Sequence, residues 1–236
     1  MYISGNGGDI EFGLFRDSGH PLNVPIDAML QPGEVGDARY VRVTKLTRDA
    51  VRVSTQDGKD CVLNFTNAKA GGIDFESIQD LGDVISAKVE PKLVETTKTY
   101  ITSLLTKVLR ESHGSLIGVV RSSKIPAFLS DCTVLDPPLD LSGTIAAVRR
   151  DSAEIVSLQA LEHLVMGIFK SDGVVIFNRK AQIVAYGGFI KLKSSKAMGG
   201  ARRRAFEAMC DRLGKGIIAA FYQSQDGPTE LKRGTE

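Results

Sequence analysis

Apolar residues recur in the second half of the chain at two distinct periods. In Thr97–Arg110, Ile101, Leu104, Leu105, Val108 and Leu109 fall at i, i+3, i+4, i+7 and i+8, one face of an amphipathic helix. Leu116–Val120 follows as a short unbroken apolar run, the pattern of a buried strand. A second helix is predicted after Asp151, which can cap it with Glu154 three residues on. Its apolar residues include Ile155, Leu158, Leu161, Val165 and Ile168. Two apolar runs, Gly173–Phe177 and Gln182–Tyr186, flank the polar Asn178-Arg179-Lys180 and predict a β-hairpin. A third helix is predicted over Ala201–Leu213 with Gly214 as its C-cap, and Ile217–Tyr222 reads as the last clear strand.

The first 95 residues carry a different pattern. Asp9–Phe15 alternates loosely. Ala38–Leu46 and Ala50–Thr55 are rich in Val, Arg and Thr and flank Thr47-Arg48-Asp49, which suggests a hairpin. Cys61–Phe65, after the Asp57-Gly58 turn, and Val84–Val89 are further candidate strands. The expectation is a small β-rich module over 1–95 and, over 96–236, an α/β (α+β) domain in which helices flank a mixed central sheet. No catalytic constellation stands out in the N-terminal part.

Composition narrows the picture. A chain of 236 residues makes one large domain or two small ones, and 42% hydrophobic content is enough for a sizeable core. The formal net charge of +2 gives no general attraction to nucleic acid or an anionic membrane, so neither is expected as a partner and any anion site must be local. The opening MYISGNGGDIEFG lacks a basic stretch followed by an apolar one, and no apolar run reaches ~18 residues. Cys61, Cys132 and Cys210 have no metal or disulfide spacing. A cytoplasmic location with buried or indifferent thiols is the expectation. His20, His113 and His163 are scattered, and His163 reads as structural.

Three short segments can carry chemistry. Gly199-Gly200-Ala201-Arg202-Arg203-Arg204 puts three cations in the first turn of a helix, whose N-terminus already bears about half a positive charge. A phosphate would offset that cost, because backbone N–H groups, the helix dipole and guanidinium forks would converge on it. A solvated basic face is the competing reading, since successive helical residues fan out by about 100° each. Asp172-Gly173 lies between a helix and a strand, where a carboxylate can hold a metal or a ribose hydroxyl. It is also a common turn dipeptide. Ser224-Gln225-Asp226-Gly227 follows the last strand, at the C-terminal end where α/β sheets usually bind ligands.

Together and in this order, the segments resemble the diadenylate cyclase (DAC, DisA-N-like) domain. That family carries an Asp-Gly-Ala motif, then about 30 residues later a Gly-Thr-Arg-His-Arg-Ala motif opening a helix, then Ser-Glu-Glu after a strand. Here Asp172-Gly173-Val174, Gly200-Ala201-Arg202-Arg203-Arg204-Ala205 and Ser224-Gln225-Asp226 stand in those places. Ser112-His113-Gly114-Ser115-Leu116 also looks like the start of such a domain, so the resemblance covers about 100–236.

The resemblance implies that Asp172 would meet metal or a ribose hydroxyl, and would be the catalytic residue of an active enzyme. Arg202 and Arg204 would hold phosphates, and Arg203 would stand between them. Gly173, Gly200, Ser224 and Gln225 would line the site, and Gly187-Gly188-Phe189 would lie near the base. Asp172 and Asp226 would share Mg²⁺ or Mn²⁺ if a nucleotide is processed. An active cyclase would make cyclic di-AMP from two ATP across a homodimer.

The chain departs from the pattern where Arg203 replaces the family's His, Ala201 its Thr, Gln225 its first Glu and Val174 its Ala, which leaves Asp226 as the only carboxylate of the last motif. Metal-assisted transfer needs anionic ligands, so fewer carboxylates and an extra arginine suit holding a nucleotide better than cyclising it. The expectation is therefore the sensor branch of the family in bacterial signalling: a domain that recognises ATP, a cyclic dinucleotide or another nucleotide second messenger and passes the signal to an effector protein. An active diadenylate cyclase is the alternative.

Overall fold

The computed structural model describes residues 2–6, 9–13, 41–45, 50–55, 60–64, 74–112, 114–129, 131–190, 200–225 and 228–234. The chain divides into two compact units, Met1–Ala70 and Gly71–Glu236. The first holds two small antiparallel sheets. One pairs β1 (Tyr2–Asn6) with β2 (Asp9–Gly13). The other is ordered β3 (Val41–Lys45), β4 (Ala50–Thr55), β5 (Asp60–Asn64). The strands expected from the Val/Thr-rich segments thus form in sequential antiparallel pairing.

The second unit starts at Gly71, earlier than the boundary expected at 95/96. The reason is a helix, α1 (Phe75–Ser86), where a strand was expected over Val84–Val89. Asp74 caps it through a 3.1 Å bond from the Glu76 N–H. Phe75, Ile78, Leu81 and Ile85 are buried at helical spacing. The Asp74 N–H also donates to Thr229 Oγ1 (3.2 Å), and Asp80 pairs with Arg233 (2.8 Å), so α1 is tied to the C-terminal end of the unit.

The sequence then runs α2 (Val94–Glu111), β6 (Ser115–Val120), β7 (Thr133–Asp140), α3 (Leu141–Arg150) and α4 (Ile155–Lys170). It continues with β8 (Val174–Asn178), β9 (Gln182–Gly188), α5 (Ala201–Cys210), β10 (Ile217–Gln223) and β11 (Thr229–Arg233). The six strands of the unit form one mixed sheet ordered β11-β10-β6-β8-β9-β7, in which only β6 and β8 are parallel. This is the expected α+β architecture, with an additional strand at each edge. The middle strands β6 and β8 are buried throughout, as strands covered on both faces must be. On one face Leu116, Val174, Ile176 and Ala220 pack with Phe206 and Met209 of α5. In the alternate register Phe177 meets Phe169 of α4, ring centroids 6.5 Å apart.

Candidate functional site

Strand direction decides where the motifs meet. β6 and β8 are parallel, so their N-terminal ends lie at the same end of the sheet. β10 is antiparallel to β6 and pairs Gln223 with Ser115, while β9 is antiparallel to β8 and pairs Gly188 with Val174. The segments just beyond these pairs, Gly114, Asp172-Gly173, Phe189 and Ser224-Gln225, therefore converge at one end of the sheet. The start of α5 meets them there: Gly200, Arg202, Arg203 and Arg204 line a cleft of about 670 Å³ together with Asp172, Phe189 and Gln225. That volume is within the ~300–1,000 Å³ of small-molecule sites. Phe189 is 61% exposed, unusual for so large an apolar side chain, and stands at the cleft.

Backbone geometry explains two of the glycines. Gly173 has φ +106° and Gly187 has φ +68°, values that side chains rarely adopt. A Cβ on Gly173 would lie 2.6 Å from the Gly187 carbonyl carbon, so the two segments touch backbone to backbone.

The three arginines do different things. Arg202 Nη2 pairs with Asp172 Oδ1 at 3.2 Å, with the carboxylate side chain 83% exposed. Arg203 turns aside: its Nε donates to Glu207 Oε1 (3.1 Å) and its Nη1 to Glu230 Oε2. Its guanidinium carbon also lies 5.3 Å from the Phe206 ring centroid and 5.6 Å from that of Tyr222. Hydrogen bonds to Glu230 and Glu207 hold the Arg203 pKa above its ordinary value. Burial pushes the Glu230 carboxyl up, but the bonds and charges of Arg203 and Lys232 outweigh it and leave the net shift downward. Arg204 sends its backbone N–H to Gly200 O (3.1 Å), the first hydrogen bond of α5. Gly200 supplies no side-chain cap, so the preceding N–H groups of the first turn have no partner within the helix. The cost of cations at this helix end is thus offset partly from within the protein, through Asp172, Glu207 and Glu230.

A second compartment of about 330 Å³ adjoins the cleft and shares Leu116, Asp172, Gly173 and Arg202 with it. Its other lining includes Ser112, Ser115, Ser171, Glu111 and Lys170. A buried glutamine organises this side. Gln223, 3% exposed, donates from Nε2 to the Leu109 carbonyl at the end of α2 (2.8 Å). Its Oε1 lies 3.1 Å from the Ser112 hydroxyl, which is 2.8 Å from that of Ser115. Gln223 and Glu230 were not singled out from sequence, since each acts through partners far away in the chain.

Asp226 lies outside the described residues, as do His20 and His113. His163 bonds through Nδ1 to the Gln159 carbonyl one turn back, consistent with a structural role (2.8 Å). Among the described residues no group of three or more His, Cys, Asp or Glu is placed to hold a metal ion. The one described carboxylate expected to bind metal, Asp172, is paired with a guanidinium.

No protein-family model matches the chain, and no curated protein matches it in sequence. Among the described residues, no helix is long and apolar enough to cross a membrane.

Proposed function

We propose that the second unit is a nucleotide-binding sensor domain of the kind its motifs resemble, holding a nucleotide in the cleft at the end of the sheet. The observation that carries this reading is the convergence of Asp172-Gly173, Gly200 to Arg204 and Ser224-Gln225, far apart in sequence, around one cleft of about 670 Å³. Arg202, Arg204 and the first turn of α5 hold the phosphate. Phe189 offers its ring face to the base. Asp172 takes a ribose hydroxyl when the ligand's phosphate replaces it on Arg202.

Two features favour binding over turnover. The carboxylate that a cyclase would use to activate a hydroxyl is held by Arg202. The arginine that replaces the family's histidine is engaged by Glu207 and Glu230. Occupancy of the cleft is then read by an effector protein or across a homodimer.

The test is incubation of the purified protein with ATP and Mn²⁺, with cyclic di-AMP sought by mass spectrometry, beside thermal-shift measurements with a nucleotide panel. Stabilisation by at least one nucleotide without product is expected. Cyclic di-AMP formation abolished by Asp172→Asn would establish the cyclase instead. No shift with any nucleotide would refute both.

A further inference from the structure

We infer that the end of the sheet opposite the cleft is a docking platform for a short acidic segment of a partner protein. This goes beyond the nucleotide reading and stands without it.

β6 and β8 run side by side away from the cleft to Val120 and Asn178, which are paired in register at the far end. Three segments meet there. Arg121 to Lys124 leave β6, Arg179 and Lys180 turn from β8 into β9, and Lys88 follows the last turn of α1. Asn178, 1% exposed, clamps the first two together. Its Nδ2 donates to Ser123 Oγ (3.1 Å) and Gln182 Oε1 (2.8 Å), and its Oδ1 accepts from the N–H groups of Lys180 (2.9 Å) and Gln182 (3.2 Å). The end of α1 is tied to the same turn. The Lys88 N–H donates to the Arg179 carbonyl (2.8 Å), and the Ala181 N–H donates to the Ile85 carbonyl (3.0 Å). Lys215 flanks the group from the neighbouring strand, since Ile217 pairs with Val120.

The platform is basic and is not neutralised from within. Lys88, Arg121, Lys124, Lys180 and Lys215 are exposed, and Arg179 is half-buried. Among the described residues, no carboxylate forms a salt bridge with any of the five exposed cations, whereas Lys98, Lys107, Arg203 and Arg233 each have one. Segments 84–88, 121–124 and 178–182 contain no Asp or Glu. Asp140 lies at the same end, opposite Gln182, but is taken up in capping α3 through the Gly143 N–H (2.9 Å). Like charges held on segments this well fixed repel one another, and a carboxylate-rich partner relieves that repulsion.

The chemistry selects a peptide over other polyanions. These segments hold no aromatic ring on which a base could stack. They expose no large apolar side chain that could enter a lipid surface. Neighbouring strands lie about 4.8 Å apart, so the platform spans on the order of 15 Å, the length of four or five extended residues at ~3.3 Å each. A net charge of +2 supplies no long-range field to gather a duplex, whereas a short acidic segment needs only the local one.

The experiment is fluorescence anisotropy of the full chain with labelled octa-glutamate at low salt, with a short DNA duplex and phosphatidylserine vesicles as comparison probes. Octa-glutamate should bind, and Lys124→Glu/Lys180→Glu should weaken it tenfold or more. Lys124→Gln/Lys180→Gln should act in the same direction and guards against misfolding of the first variant. Arg110→Glu/Arg150→Glu, the same change of charge at the ends of α2 and α3, should alter affinity far less, and Arg202→Ala in the cleft should leave it unchanged. Equal loss in the two double reversals, loss in Arg202→Ala, or no binding of octa-glutamate overturns the platform. Tighter binding of the duplex or the vesicles through Lys124 and Lys180 overturns the peptide assignment. Each of these outcomes leaves the nucleotide reading intact.

Discussion

Gly173 and Gly187 meet backbone to backbone: a Cβ on Gly173 would sit 2.6 Å from the carbonyl carbon and 2.8 Å from the Cα of Gly187. Neither backbone can give way without moving the strand ends that frame the cleft. Gly173 also has φ +106°. Gly173→Ala should therefore cost about 1–3 kcal/mol from strain and overpacking together. Urea denaturation should show a lower midpoint, and an unchanged midpoint would contradict the close approach.

Arg203 and Glu230 tie the first turn of α5 to the edge strand β11. The Glu230 pKa is lowered in the fold, so its contribution is present above the ordinary carboxylate range and is lost as pH falls through the depressed folded value. At pH 7 Glu230→Gln should lower stability by about 1 kcal/mol or less, as befits a part-exposed pair. The melting-temperature gap between variant and wild type should close on going to pH 3. A gap that is constant with pH would mean that the ion pair does not contribute.

Gln223 is buried and bonded to the last turn of α2. Replacing it by Ala leaves the Leu109 carbonyl only the longer 3.3 Å bond from the Ser112 hydroxyl, at a cost of about 1 kcal/mol for the lost hydrogen bond. Because Ser112 also leans on Gln223, hydrogen exchange at the α2–β6 junction should quicken in Gln223→Ala. Unchanged exchange there would count against the network.

Burial, and then the nearby Glu230 charge, push the Cys210 thiol up to about 11. Since only the thiolate reacts, alkylation of Cys210 by iodoacetamide at pH 8 should be roughly 100-fold or more slower than that of a free cysteine. Peptide mass spectrometry at timed quenches would measure it. A rate near that of the free thiol would mean Cys210 is not in this environment.

Elements that bury one clear stripe or a whole strand were legible in the sequence. The α2 periodicity, the unbroken β6 run and the β8–β9 hairpin all appear where the pattern puts them. The edge strands were not. β7 carries Pro137 and Pro138, and its register with β9 shifts between Val134 and Leu139, an irregularity that an edge tolerates and a hydrophobic pattern does not announce. β11 is Thr-Glu-Leu-Lys-Arg, too polar to read as a strand without its partner β10. In α1 the apolar end, Val84 to Ile85, suggested a strand, although Phe75, Ile78, Leu81 and Ile85 already had the helical period.

The motifs that converge at the cleft were legible in the sequence, whereas the different partners of the three arginines were not. Three adjacent arginines look equivalent in sequence. Glu230, 27 residues beyond Arg203, is what draws that one aside. Arg202 instead meets Asp172, 30 residues before it.

We propose that Arg202 and Arg204 hold a nucleotide phosphate, and titration calorimetry at low and moderate salt decides the matter. With the nucleotide that stabilises the wild type best, Arg202→Ala and Arg204→Ala should each weaken binding by roughly 10–100-fold, the value of a charge-assisted bond of about 1.5–3 kcal/mol. The loss should be larger at low salt. Unchanged affinity in both variants would rule out a phosphate site at these two arginines.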